Sequence, residues 1–206
     1  MKKVFSILLI VMFVFSMNIA FAADDDFDTI DINLDVEAGI AIDCGDNVVT
    51  MGAIVQDGFS DLTNNSQACK VRTNNQDGYT LSIKGSASPG DVTVLTSENA
   101  DTIPAIAAAP ADWTVADDAS GWGFTYTNSG SQAQTTLYDG VGSSGTTYAG
   151  DWAGVTGTSV DVATFGDHTI EAGADNIFMF GAEVGTDYIQ PTGTYVGQVT
   201  VTATTL

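Results

Sequence analysis

Two cysteines, Cys44 and Cys69, and a single histidine, His168, are the residues of this sequence with the most obvious reactive potential. A catalytic thiol needs a base within reach, and dithiol redox chemistry needs a Cys-x-x-Cys pair, which neither cysteine forms. One intramolecular bridge is the simpler use of two thiols, and closing a loop of that length stabilises a fold by about 3.5 kcal/mol on the chain-entropy model. Asp167-His168 has the composition of an orienting pair in a serine triad, but the nearest serine-rich stretch, Gly142-Ser143-Ser144-Gly145, lacks the G-x-S-x-G spacing. A histidine beside a carboxylate then reads as an exposed turn. No phosphate-binding glycine loop follows any candidate strand.

Carboxylates are plentiful, 26 Asp and Glu in all, and that abundance weakens every argument from a pair of them. Two acids at a glycosidase-like separation are bound to occur by chance in such a chain. Asp24-Asp25-Asp26-Phe27-Asp28 and Asp117-Asp118 are oxygen-rich enough for calcium, yet neither follows the EF-hand pattern, so no metal ligand and no cofactor is assigned. Trp113, Trp122 and Trp152, with Tyr126, Tyr138 and Tyr148, are the raw material of a sugar-stacking platform. Trp122, Phe124 and Tyr126 alternate along one face and read as core, which leaves Trp113 and Trp152 as the candidate exposed aromatics. No enzymatic activity is expected.

The elements that position these side chains follow from periodicity and from the ends of the chain. Lys2-Lys3, the apolar stretch Val4 to Met17 and Ala20-Phe21-Ala22 form a signal peptide with cleavage expected after Ala22. The protein is therefore expected outside the cytoplasm, secreted, at the cell surface or in a periplasm, where the two thiols oxidise. Cleavage leaves three basic residues, Lys70, Arg72 and Lys84, against all 26 acids. Such a surface repels phosphate backbones and anionic lipid, which argues strongly against nucleic-acid binding and against membrane-surface attachment through charge. No hydrophobic tail or sorting motif follows the last strand, so no anchor is expected, and retention would depend on partners or on polymerisation.

From Ile30 the even positions Ile30, Ile32, Leu34, Val36, Ala38, Ile40, Ile42 and Cys44 alternate with mostly acidic or polar odd ones. That period of two is a strand signal, but fifteen residues at ~3.3 Å each make about 50 Å, beyond any ordinary strand. Either a kink or bulge at Gly39 breaks it, or the residues before Gly39 pair with another subunit. Further strands are expected at Tyr79–Ile83, Asp91–Val94, Trp122–Tyr126, Phe178–Val184 and Tyr195–Ala203. Ile103 to Ala111 has the best helical composition, limited to a turn or two by Pro104 and Pro110. Residues 128–160 read as loops carrying short strands. The fold class expected is all-β, one immunoglobulin-like sandwich of antiparallel strands, organised as signal peptide 1–22, an N-terminal extension 23–38 and a sandwich domain 39–206.

The long alternating segment ending at Cys44, the run Ala68-Cys69 to Gly78-Tyr79-Thr80-Leu81-Ser82-Ile83, and the closing Pro191-Thr192-Gly193-Thr194-Tyr195-Val196-Gly197-Gln198-Val199-Thr200-Val201 together resemble the spore coat protein U family, which includes the archaic chaperone–usher pilins. The resemblance lies at the two ends of the chain and hardly touches residues 86–175. It implies a sandwich lacking one strand, a Cys44–Cys69 bridge between the first two strands, self-association into a polymer, and a periplasmic chaperone as partner. It also implies that Ile30, Ile32, Leu34 and Val36 are donor residues that fill a neighbour's groove. The expected function is a structural subunit of a surface fibre, pilus or coat concerned with adhesion, the alternative being a secreted carbohydrate- or surface-binding module.

Overall fold

The computed structural model describes residues 34–45, 48–62, 66–86, 92–128, 134–136, 138 and 146–206, with backbone alone for 134–136. The expected signal peptide, Asp24–Asp28, Ile30, Ile32 and Gly142–Gly145 lie outside the described residues. The compact body is Glu37–Leu206; residues 34–36 belong to a separate unit and are irregular.

Every regular element among the described residues is a strand. In chain order these are β1 (Ile40–Asp43), β2 (Gly58–Phe59), β3 (Ser66–Thr73), β4 (Tyr79–Ser86), β5 (Val94–Thr96), β6 (Thr102–Pro104), β7 (Ala111–Asp112), β8 (Ser120–Asn128), β9 (Gln134–Thr136), β10 (Asp151–Trp152), β11 (Val160–Phe165), β12 (Ala174–Val184) and β13 (Gln198–Thr205). One sheet runs β1-β3-β12-β8, with β2 on the far end of β12; the other runs β13-β4-β11-β9. The ladders are antiparallel, and the molecule is the all-β sandwich that the alternating pattern predicts.

Period two explains the core directly, because every second side chain of a strand falls on the same face. Tyr79, Leu81 and Ile83 of β4 are buried in one core with Phe178, Phe180 and Ala182 of β12 and with their register neighbours Trp122, Phe124 and Tyr126 of β8; Val184 of β12 is buried as well. Each large side chain so buried contributes about 1.5–3 kcal/mol. The one fully buried amide among the described residues, Asn176, is satisfied by bonds in both directions: its Oδ1 accepts from the Tyr126 hydroxyl at 2.7 Å and its Nδ2 donates to Ala174 O and Cys69 O.

The structure departs from simple patterning in three places. β8 is buried on both faces from Ser120 to Tyr126, where alternation would leave one face wet. A third layer covers it: the Ile106 side chain lies over Gly121 and Gly123 and Val115 over Gly121, while the backbone bonds of Ile106 N–H to Trp122 O and between Phe124 and Ala153, at 2.9 Å, tie this layer to the edge of β8. Gly181 on neighbouring β12 admits the same cover, since a Cβ there would lie 2.2 Å from the Tyr148 ring. Secondly, Trp152 is not an exposed aromatic. It is 1% exposed, with Tyr148 stacked on it at 4.8 Å, Trp113 edge-on at 5.1 Å, and its Nε1 donating to Ala149 O. Thirdly, Ile103 to Ala111 carries no helical turn: β6 pairs with β5 through Pro104–Val94, and the chain then runs irregularly to β7. Proline at both ends of so short a run denies a helix its backbone donors.

The long N-terminal alternation also resolves differently from one continuous strand. Among the described residues only Ile40–Asp43 is strand, paired to β3 from Ile40–Thr73 to Asp43–Lys70. Leu34–Gly39 is not, and beyond Cys44 the chain turns at Gly45.

Candidate functional site: an open flank of the sandwich

β1 ends one sheet and β13 the other, and the two lie beside each other at the same flank with no ladder between them. Among the described residues each therefore has an edge without a strand partner. For β13 the register says which residues face that edge. In an antiparallel pair, opposed residues alternate between exchanging both backbone bonds and exchanging none. Leu206 N–H donates to Gly78 O, and the β13–β4 register continues unbroken from Thr205–Tyr79 to Gln198–Ser86. Even positions thus turn their N–H and C=O toward β4. The odd ones, Val199, Val201, Ala203 and Thr205, direct theirs to the open edge while their side chains point inward and stay only half-buried. Eight residues of unpaired edge is a long template for another strand.

Behind this edge lies a cavity of about 790 Å³. Its floor is core: Cys69, Leu95, Trp122, Phe178 and Phe180. Tyr195 to Val201 form one wall, and Val48, Val49 and Met51 form another. The second wall was not anticipated from sequence. Its signal was there in the alternation of Val48-Val49-Thr50-Met51, in which Val49 and Met51 pack against the core while Val48 and Thr50 face out. These four residues pair with no strand among the described residues, so the cavity is bounded on one side by a strand with one open edge and on the other by backbone without a ladder.

The bridge Cys44–Cys69 is formed, and both cysteines line the cavity. It ties the end of β1 to the middle of β3, and the Gln67 amide reinforces the join by donating to Cys44 O. The point at which the chain leaves β1 for the Val48–Met51 wall is thereby fixed. At the other end of the flank, Asn75 Nδ2 donates to both Gly78 O and Leu206 O, holding the end of β13 against the β3–β4 turn.

Of the four candidate donor residues, Leu34 and Val36 are described; they are irregular and 83% and 75% exposed, unusual for aliphatic side chains at successive even positions. The other candidate sites are not gathered here. Trp113 is half-buried in the third layer, where its Nε1 donates to Glu183 Oε2 at 2.6 Å and its ring meets Tyr148 at 4.6 Å. Burial pushes the Glu183 carboxyl above the usual range, opposed by the Trp113 bond and reinforced by Asp117. Tyr148 is likewise pushed up to about 12, chiefly by burial. These rings touch one another at 4.6–5.1 Å, which is the packing of a small satellite core. His168 Nδ1 lies 2.6 Å from Asp167 Oδ1 on an exposed turn. Asp117-Asp118 occupies another turn, and among the described residues no three His, Cys, Asp or Glu side chains converge as a cation set.

Comparison of the chain with protein-family models, with curated proteins and with solved structures finds no match in any of the three.

Proposed function

We propose that this protein is an exported structural subunit that assembles into a surface fibre or coat by strand exchange, the segment around Ile30–Val36 of one copy adding to the open edge of β13 in the next. The observation that carries this reading is the pairing of an unpartnered edge with an apolar cavity directly behind it. An extended segment gains main-chain bonds from the edge and places alternate side chains in the cavity, which is the physics of β-strand addition. Ile30, Ile32, Leu34 and Val36 supply alternate apolar side chains over about 20 Å at ~3.3 Å per residue, a fair match to the eight residues that β13 presents. The acids between them, Asp31 and Asp35, then face water.

Entry of that strand beside β13 would also bring it against Val48–Met51, the second unpaired wall, so both of its edges would find partners. The sugar-binding alternative draws less support, because one of its two tryptophans is buried and the other is held by a carboxylate. The test is an SDS gel of purified mature protein, unboiled beside boiled. A ladder of multiples that collapses on heating is the expected result; a single monomer band in both lanes from protein concentrated to the millimolar range would count against exchange.

A further inference from the structure

The donor segment has a second place to go, and the sequence encodes it. Val36 and Ile40 flank Glu37-Ala38-Gly39, and a three-residue hairpin loop consists of a type I turn followed by one left-handed residue, the position Gly39 would fill. In such a hairpin Val36 falls opposite Ile40 and Leu34 opposite Ile42, so the apolar side chains of both arms share a face. Among the described residues the outer edge of β1 has no partner and could receive it, β3 being its ladder partner on the other side. A segment folded back in this way is lost to any neighbour.

Glu37–Gly39 is held in a different arrangement. Gly39 N–H donates to Asn74 Oδ1 at 2.6 Å, Asn74 Nδ2 donates to Glu37 O at 3.0 Å, and Thr73 Oγ1 donates to Gly39 O at 2.7 Å. Asn74 follows directly on β3, so its side chain grips the backbone of Glu37 and Gly39 just past the last β1–β3 rung, Ile40–Thr73, where Asn74 itself stands opposite Gly39. Gly39 is not among the left-handed glycines, and a Cβ on it would meet nothing nearer than Asn74 Oδ1 at 3.8 Å. The observed arrangement makes no use of glycine; the hairpin would.

We infer that Asn74 is a clamp that denies the donor segment the edge of its own β1 and so reserves it for a second copy of the chain. This rests on the strand-exchange reading, and it assigns to one exposed amide the choice between self-capped monomer and polymer. The experiment compares mature wild-type protein, Asn74→Ala, and Asn74→Ala with Gly39→Val on unboiled gels, with thermal melting of each. Losing both Asn74 bonds shifts the partition toward the hairpin by about tenfold or more, so the ladder of Asn74→Ala falls by that factor while its melting remains cooperative. Valine at position 39 disfavours the left-handed residue the hairpin needs and restores the ladder without restoring the amide. A ladder unchanged by Asn74→Ala overturns the clamp and leaves strand exchange standing. So does a loss that Gly39→Val fails to rescue, which is the signature of a merely structural side chain. Absence of any ladder from wild-type protein overturns strand exchange itself and the clamp with it.

Discussion

Leu34→Asp is expected to erase the heat-sensitive ladder while leaving the body of the subunit folded. In the assembled state this side chain would enter a cavity floored by Trp122, Phe178 and Phe180, and an ionised carboxylate without a partner there costs several kcal/mol at the least. In the free subunit Leu34 is 83% exposed and contributes nothing to the core, so the melting temperature should be unchanged. Asp35→Asn, one residue along on the opposite face, is the control and should leave the ladder intact or strengthen it. Strengthening follows from charge: every subunit carries a large excess of acids, and removing one reduces the repulsion between copies. The same argument makes assembly faster at high ionic strength, where the Debye length shortens to about 3 Å at 1 M salt. A ladder of wild-type intensity from Leu34→Asp would remove this segment from the assembly site.

Replacing Cys44 and Cys69 together by alanine should destabilise the monomer by about 3.5 kcal/mol on the chain-entropy model. At roughly 2–4 °C per kcal/mol for a body of this size, the melting temperature should fall by about 7–14 °C. The effect should not be confined to stability. The bridge anchors the chain where it leaves β1 for Val48–Met51, a wall of the cavity that has no ladder of its own to hold it. Urea denaturation of the oxidised and reduced wild-type protein gives the same comparison without mutation. A difference below about 1 kcal/mol between them would show that the unfolded chain is scarcely constrained by this loop.

What could be read from the sequence was whatever depended on local periodicity. β4, β8 and β12 bury the side chains that their alternation selects, because a strand between two sheets has one inner face and the residue pattern records it. The two cysteines paired as two lone thiols in one small chain would. What escaped was set by segments far apart in the chain. Trp152 sits in a Gly- and Thr-rich stretch that signals a loop, and its burial depends on Trp113 from a distant connection as well as on its near neighbour Tyr148. The burial of the outer face of β8 leaves no mark in the sequence, because glycines at 121 and 123 carry no hydropathy signal; their value lies in letting the third layer approach. The role of Val48–Met51 was equally hidden, since an apolar run of four becomes a cavity wall only once β13 stands opposite.

The open edge of β13 is the feature on which the proposed assembly depends, and backbone hydrogen exchange reads it residue by residue. In the monomer the amides of Val199, Val201, Ala203 and Thr205 should exchange rapidly, while those of Thr200, Thr202 and Thr204, bonded to β4, are protected. In the heat-sensitive polymer all seven should be protected. Polymer in which the four odd amides still exchange at the monomer rate would place the contact between copies elsewhere and contradict strand addition at this flank.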